Sequence, residues 1–271
     1  VTTPSDKTVA LTPWWGGFAL QLGEVLHFRI GPCALWVERL ARELRVTYKQ
    51  HEDPLDTALE VGATSTAAPD EPGLDAERFA VSDRITQIEL EPALADRAVV
   101  VRTHEPFHVL GGHEATLYLT TPVWVRLSAG EQGKRMFERP CHRPSDTWFG
   151  PSTREGELCY AGTTTARLSL DELTQRPGRA VTRVHIVNQA PSLLALDRIN
   201  VPAPALSLFA SEEHRLWTEP LEVRREHDGV IRGVTIGRGP AAEATGAVLL
   251  SGPRRAGDQN LFSRAFKALL G

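Results

Sequence analysis

Apolar and polar residues alternate along much of the chain, the period expected of strands with one buried face. Phe18, Leu20 and Leu22 form one such run; after Gly23 the alternation resumes at Leu26, Phe28 and Ile30 and stops at Gly31-Pro32. Leu35 to Val37 and Leu44 to Tyr48 continue the meander. Ile85 to Leu90, Ala98 to Thr103, Ala115 to Thr120 and Val123 to Leu127 are short, rich in β-branched or aromatic residues, and bounded by Gly or Pro. The second half repeats the style in Thr164 to Leu170, Val181 to Val187, Leu193 to Val201, Ala205 to Phe209, Leu221 to Arg225 and Val230 to Ile236. Asp228-Gly229 between the last two predicts a type I′ hairpin. The pattern predicts an all-β protein of two sandwich-like antiparallel halves.

The boundaries follow from what interrupts the pattern. An N-terminal half spans 1–130, an irregular connector with Pro140, Pro144 and Pro151 spans 131–156, and a second half spans 157–253. Within the first half, about 52–80 reads as an acidic flexible insertion, and VGATSTAAPDEPG from Val61 to Gly73 has no period at all. A faint internal echo pairs LHFRIGPCALWVERL, from Leu26, with LSLFASEEHRLWTEPL, from Leu206.

The tail differs. Residues 254–271 predict a basic tether and a short amphipathic helix, capped at Asp258. Leu261, Phe262, Ala265, Phe266 and Leu269 fall on one face, with Arg264 and Lys267 opposite. At about 18 Å such a helix is too short to cross a bilayer. Leu261, Phe262, Arg264, Phe266, Lys267 and Leu269 are therefore the candidate partner-binding residues, for a protein groove, an anionic membrane surface or the protein's own sandwich.

Composition narrows the function classes. A formal net charge of -4 disfavours a nucleic-acid partner. The 30 basic residues are mostly arginine but are scattered along the chain. Three cysteines, Cys33, Cys141 and Cys159, form no C-x-x-C motif and suit a reducing, cytoplasmic compartment. Signatures of P-loop nucleotide binding, dinucleotide binding and the serine-hydrolase elbow are missing, and no cofactor is expected.

Two segments carry candidate chemistry. His104-Glu105-Pro106-Phe107-His108 matches H-E-x-x-H, but zinc catalysis needs both histidines on one helical face. Here Pro106 and the preceding Val99-Val100-Val101 predict extended chain. His104, His108 and His113 stay as weak metal-ligand candidates and support, third in order, a metal-dependent hydrolase. RPSDTWFGPSTREGELCY, from Arg143 to Tyr160, puts Arg143 and Asp146 beside Trp148 and Phe149, the mixture that lines small-ligand and glycan pockets. The alternative is that Trp148 and Phe149 tuck into an inter-domain core. Asp146 and Glu157 would be the carboxylate pair of a glycosidase, and Cys141-His142 a nucleophilic dyad, though neighbours in extended chain point apart.

WGGFALQLGEVLHFRIGPCALWV, RPSDTWFG followed by GELCYAG, and VNQAPSLLALDRINVPAPALSLFA leading to LWTE resemble the recurring segments of a prokaryotic family called domain of unknown function four-three-two. The resemblance covers most of Trp15 to Arg225, outside the acidic excursion and the tail. It brings no catalytic residues. It implies an accessory role beside small-conductance mechanosensitive channels, near which members often occur. The reading that results is a non-enzymatic protein-interaction module, an accessory or regulatory partner of such a membrane channel, acting from the cytoplasmic side. A small-ligand or glycan-binding β-sandwich is the alternative.

Overall fold

The period-two runs become strands. The computed structural model describes residues 12–65, 67–69, 74–130, 133–150, 152, 154–164 and 166–255. In chain order the strands are β1 (Gly16–Ala19), β2 (Val25–Ile30), β3 (Cys33–Leu40), β4 (Glu43–Gln50), β5 (Leu59–Ser65), β6 (Asp75–Ala80), β7 (Gln87–Ala93), β8 (Val99–Val109), β9 (His113–Pro122) and β10 (Trp124–Ala129). Then follow β11 (Lys134–Pro140), β12 (Ser145–Phe149), β13 (Glu157–Thr164), β14 (Arg179–Asn188), β15 (Leu194–Val201), β16 (Leu208–Ala210), β17 (Leu216–Thr218), β18 (Leu221–Arg225), β19 (Ile231–Ile236) and β20 (Val248–Ser251). Helix is confined, among the described residues, to single 3₁₀ turns at Leu170–Glu172 and Ala203–Ala205. The protein is all-β.

Four sheets result. Their orders are β1-β7-β10-β11, β5-β2-β3-β4-β6, β12-β13-β8-β15, and β19-β18-β14-β17-β16-β20 with β9 also on β14. Pairing is mostly antiparallel, with β13 on β8 and β14 on both β17 and β18 parallel. In β2 the alternation is direct: Leu26, Phe28 and Ile30 are buried while His27 and Arg29 are half-buried.

The expected boundary at 131–156 is corrected in two ways. That segment is not irregular, because it contributes β11 and β12. Strands also pair across it: β8 lies between β13 and β15, and β9 runs antiparallel to β14 over their full lengths. One apolar cluster reaches from Leu35 and Ile88 to Val184 and Leu208, and the Trp14 indole donates to the Pro177 carbonyl at 2.9 Å. The second half is thus built onto strands of the first.

The acidic insertion is corrected at both ends. β5 and β6 flank the five-stranded sheet as its edges, on β2 and β4. The β18–β19 hairpin forms as expected, but with a different turn. Gly229 has φ +81° and its N–H reaches the Glu226 carbonyl at 2.9 Å, while Asp228 is not left-handed. That is a type I turn closed by a left-handed glycine, not type I′. The expected strand at Thr164 to Leu170 lies earlier, as β13, and the chain then makes a lone bridge from Arg167 to Tyr118. Both members of the internal echo are hairpins, β2–β3 and β16–β17, but Trp36 is half-buried against His27 and Trp217 is wholly buried.

Candidate functional site

Among the described residues β12 is an edge strand, paired with β13 alone. Its register sets Asp146 opposite Tyr160, Trp148 opposite Leu158 and Phe149 opposite Glu157. Directly paired residues share a face, and successive residues alternate. Asp146, Trp148, Leu158 and Tyr160 therefore lie on one face, with Phe149, Glu157 and Cys159 on the other. Phe149 is 2% exposed and packs with Ala98, Val100 and Cys159. Trp148 is 46% exposed, and Leu158 beside it is exposed as well. Of the four residues expected to form a pocket, Arg143, Asp146 and Trp148 come together and Phe149 does not. The expectation that Trp148 and Phe149 both enter the core is corrected for Trp148, because neighbouring strand residues cannot share a face.

The exposed indole is held in place. Its Nε1 donates to the Ser152 carbonyl at 2.8 Å, and Gly156, at φ +154°, lies so close that a Cβ there would sit 2.8 Å from Nε1. Asp146 is braced by Arg97 at 3.2 Å and Arg143 at 3.5 Å. The Arg97 guanidinium lies 5.3 Å over the Tyr160 ring, and the Tyr160 hydroxyl donates to Asp96 at 2.9 Å. Burial, then that bond to Asp96, pushes the Tyr160 hydroxyl above its ordinary range. Tyr160 in turn packs against Trp124, 5.5 Å between centroids with the rings tilted by 40°, which roots the cluster in the core. Arg97 has no sequence signal, being 49 residues from Asp146.

The catalytic pairings fall away on geometry. Asp146 and Glu157 face opposite sides of the sheet, and Glu157 accepts from Asn200 Nδ2 at 3.3 Å. Cys141 is buried, its thiol raised by a hydrogen bond with the Cys33 thiol and then by burial, while His142 Nδ1 meets Gln50 Nε2 at 2.9 Å. The two residues of that dyad point apart.

The H-E-x-x-H segment lies inside β8. Its register against β15 jumps there: Arg102 faces Arg198 and Phe107 faces Leu196, so three extra residues of β8 bulge out between them and the segment is not the helical turn that sets two zinc ligands on one face. His108 is exposed, and His113, on the next strand, bonds the Gly111 carbonyl through Nδ1 at 2.8 Å. Among the described residues, no three His, Cys, Asp or Glu side chains are grouped to hold a metal ion.

The sequence reading missed a groove of about 690 Å³ at one end of the sheet β1-β7-β10-β11. Ser82, Arg84, Gln87, Glu89, Ser128 and Lys134 supply its polar lining. Fifty residues separate Arg84 from Lys134, and only the β7–β10–β11 pairing joins them. Arg84 and Lys134 outnumber the Glu89 carboxylate there, and with the hydroxyl and amide groups they suit an anionic, hydroxyl-bearing molecule.

Leu261, Phe262, Arg264, Phe266, Lys267 and Leu269, with the expected C-terminal helix, lie outside the described residues. The start of the expected tether is corrected. Arg254 donates to the Leu94 carbonyl at 2.7 Å and pairs with Glu138, and the Arg255 N–H reaches the Pro204 carbonyl at 2.9 Å. Among the described residues no helix is long and apolar enough to cross a membrane.

The family described as Protein of unknown function (DUF432) matches residues 14–270. The chain belongs to this family. The match takes in the acidic stretch and the tail as well as the segments that first suggested it. No curated protein and no solved structure matches the chain significantly.

Proposed function

We propose that this member of the DUF432 family is a non-enzymatic protein-interaction module whose docking edge is β12. The observation that carries the reading is the fixed, half-exposed Trp148 beside exposed Leu158 on a strand with one open edge. An open edge accepts a partner strand, and tryptophan is enriched among residues that dominate binding energy. Bracing by Ser152, Gly156 and the Arg97–Asp146–Arg143 cluster lowers the entropy lost on docking.

Following the family resemblance, the partner is a small-conductance mechanosensitive-type channel, which the protein serves as an accessory or regulatory element from the cytoplasmic side. The test is co-purification from detergent-solubilised membranes. A channel of that type recovered with the wild-type chain, and lost with Trp148→Ala at unchanged melting temperature, supports the reading. Equal recovery with both chains refutes the β12 edge.

A second reading rests on the groove with Arg84 and Lys134, which suits a small anionic ligand such as a phosphorylated or carboxylated sugar. A thermal-shift series with such compounds, repeated on Arg84→Ala, separates it from the first.

A further inference from the structure

Three connections meet at one end of the molecule. The β8–β9 loop (109–113), the β14–β15 loop (189–193) and the β18–β19 loop (226–230) are joined by register: Val109 pairs with Leu194, His113 with Asn188, Asn188 with Arg225, and Arg225 with Ile231.

Two side chains tie the loops together. Buried Asn188 donates through Nδ2 to the carbonyls of Val109 at 3.0 Å, Leu110 at 3.1 Å and Ser192 at 2.9 Å. Arg225 donates through Nη1 to the Ser192 and Leu193 carbonyls, at 3.0 and 3.1 Å, and through Nε to the Gly229 carbonyl at 3.0 Å. The first two loops also touch through backbone, since a Cβ on Gly111 would sit 2.4 Å from the Pro191 carbonyl oxygen. Further main-chain bonds close the tip: Gly112 N–H to Asn188, His113 N–H to Leu110, Gln189 N–H to Arg225, and Glu226 N–H to Val230. Apolar side chains are what this frame presents to solvent: Leu110 is 59% exposed, Leu193 50% and Val230 37%.

We propose that this three-loop tip is a membrane-contact site that inserts Leu110 and Leu193 into the interfacial layer of a lipid bilayer. Three features favour lipid over protein. Backbone entering a bilayer must have its polar groups satisfied internally, and the carbonyls of Val109, Leu110, Ser192, Leu193 and Gly229 already are. The exposed points are aliphatic, whereas leucine and valine are under-represented among protein hot spots. The residues beside them are polar: His113, His227 and Asp228, the last accepting from the Val230 N–H at 3.0 Å, would meet the headgroups as the leucines enter. The surface is separate from the β12 edge, because β8, which leads to the tip, starts beside Tyr160 and spans the eight residues of β15, about 23 Å. The inference therefore stands or falls independently of the proposed partner.

The test is co-sedimentation of the full chain with vesicles of phosphatidylcholine and phosphatidylglycerol. Replacing Leu110→Ser and Leu193→Ser together should weaken vesicle binding by about tenfold or more without changing the melting temperature. Leu168→Ser, exposed elsewhere, should bind as wild type. A polarity-sensitive dye on Leu193→Cys should shift to the blue when vesicles are added, its attachment selective because the three native cysteines are buried. Failure of the wild-type chain to sediment overturns the proposal. So does binding that the double substitution leaves intact, which assigns contact to another segment, or a labelled tip whose emission does not move. Inert vesicles together with a protein captured through the same leucines would make the tip a protein site instead.

Discussion

Arg254 pairs with Glu138 across 116 residues of chain, while its Nε holds the Leu94 carbonyl at 2.7 Å. The link fastens the end of the described chain to β11 and to the loop after β7. Burial works to raise the Glu138 carboxyl, but Arg254 and then Arg126 outweigh it and hold the group below its ordinary 4.5. A chain ending after Gly257 keeps this link and should melt as the full chain does. Arg254→Ala leaves a mostly buried carboxylate without its best partner and should cost about 1.5–3 kcal/mol, read by urea unfolding. The sign with pH follows from the depressed folded value. The contribution is complete above the unfolded value and is lost as pH falls through the folded one. The wild-type advantage over Arg254→Ala should therefore shrink on acidification below about pH 4.5. An advantage that stays constant down to pH 2 would show that the pair does not act as described.

Trp148 and Phe149 should behave oppositely on truncation to alanine. Phe149→Ala opens a cavity among Ala98, Val100 and Cys159 and should cost about 3–5 kcal/mol. Trp148→Ala removes a half-exposed ring and one hydrogen bond to Ser152, and should cost about 1 kcal/mol or less. Denaturant midpoints of the two variants decide between this assignment and the reverse.

His104→Ala and His108→Ala, alone or combined, should leave the metal content of the purified protein unchanged. The reason is that this part of β8 is strand and bulge, not the helical turn that sets two histidines on one face. About one zinc per chain by elemental analysis, lost in the variants, would overturn the strand assignment around Pro106.

How far the sequence could be read depended on burial. The β2 and β3 alternation was legible because each strand has one buried face. β5 and β6 were not: LEVGATS is poor in bulky residues, and DAERFA, on the opposite edge of the same sheet, shows only exposed and half-buried positions, so neither carries a strong apolar period. β11 was hidden by Pro140, which reads as a breaker but is tolerated at the end of an edge strand. The Arg143–Asp146–Trp148 group was found because it is local. Its partner Arg97 was not, since the pairing of β13 with β8 brings it in from 49 residues away. The Asn188 and Arg225 clamps, like the Arg84–Lys134 groove, leave no local trace at all. The side chains that make them come from strands distant in sequence, and only the register joins them.

The three thiols should report on opening of the fold. Cys33 and Cys141 are buried side by side, each thiol hydrogen-bonded to the other, and Cys141 is raised well above its ordinary range. Burial, with Glu157 nearby, pushes the Cys159 thiol up to about 12. The thiolate is the reactive form, so at pH 8 only about one Cys159 in ten thousand is ready to attack even before access is considered. Ellman's reagent should therefore find almost no reactive thiol in the native protein over minutes, and three after denaturation. Where closing is faster than labelling, the slow native rate follows the population of the opened state. Arg254→Ala should then speed labelling by about the same factor by which it raises the unfolding equilibrium constant, whereas Leu110→Ser should not change it. A thiol that reacts within seconds in the native wild-type protein would place Cys159 or the Cys33–Cys141 pair at the surface and contradict the packing of β12, β13 and β3.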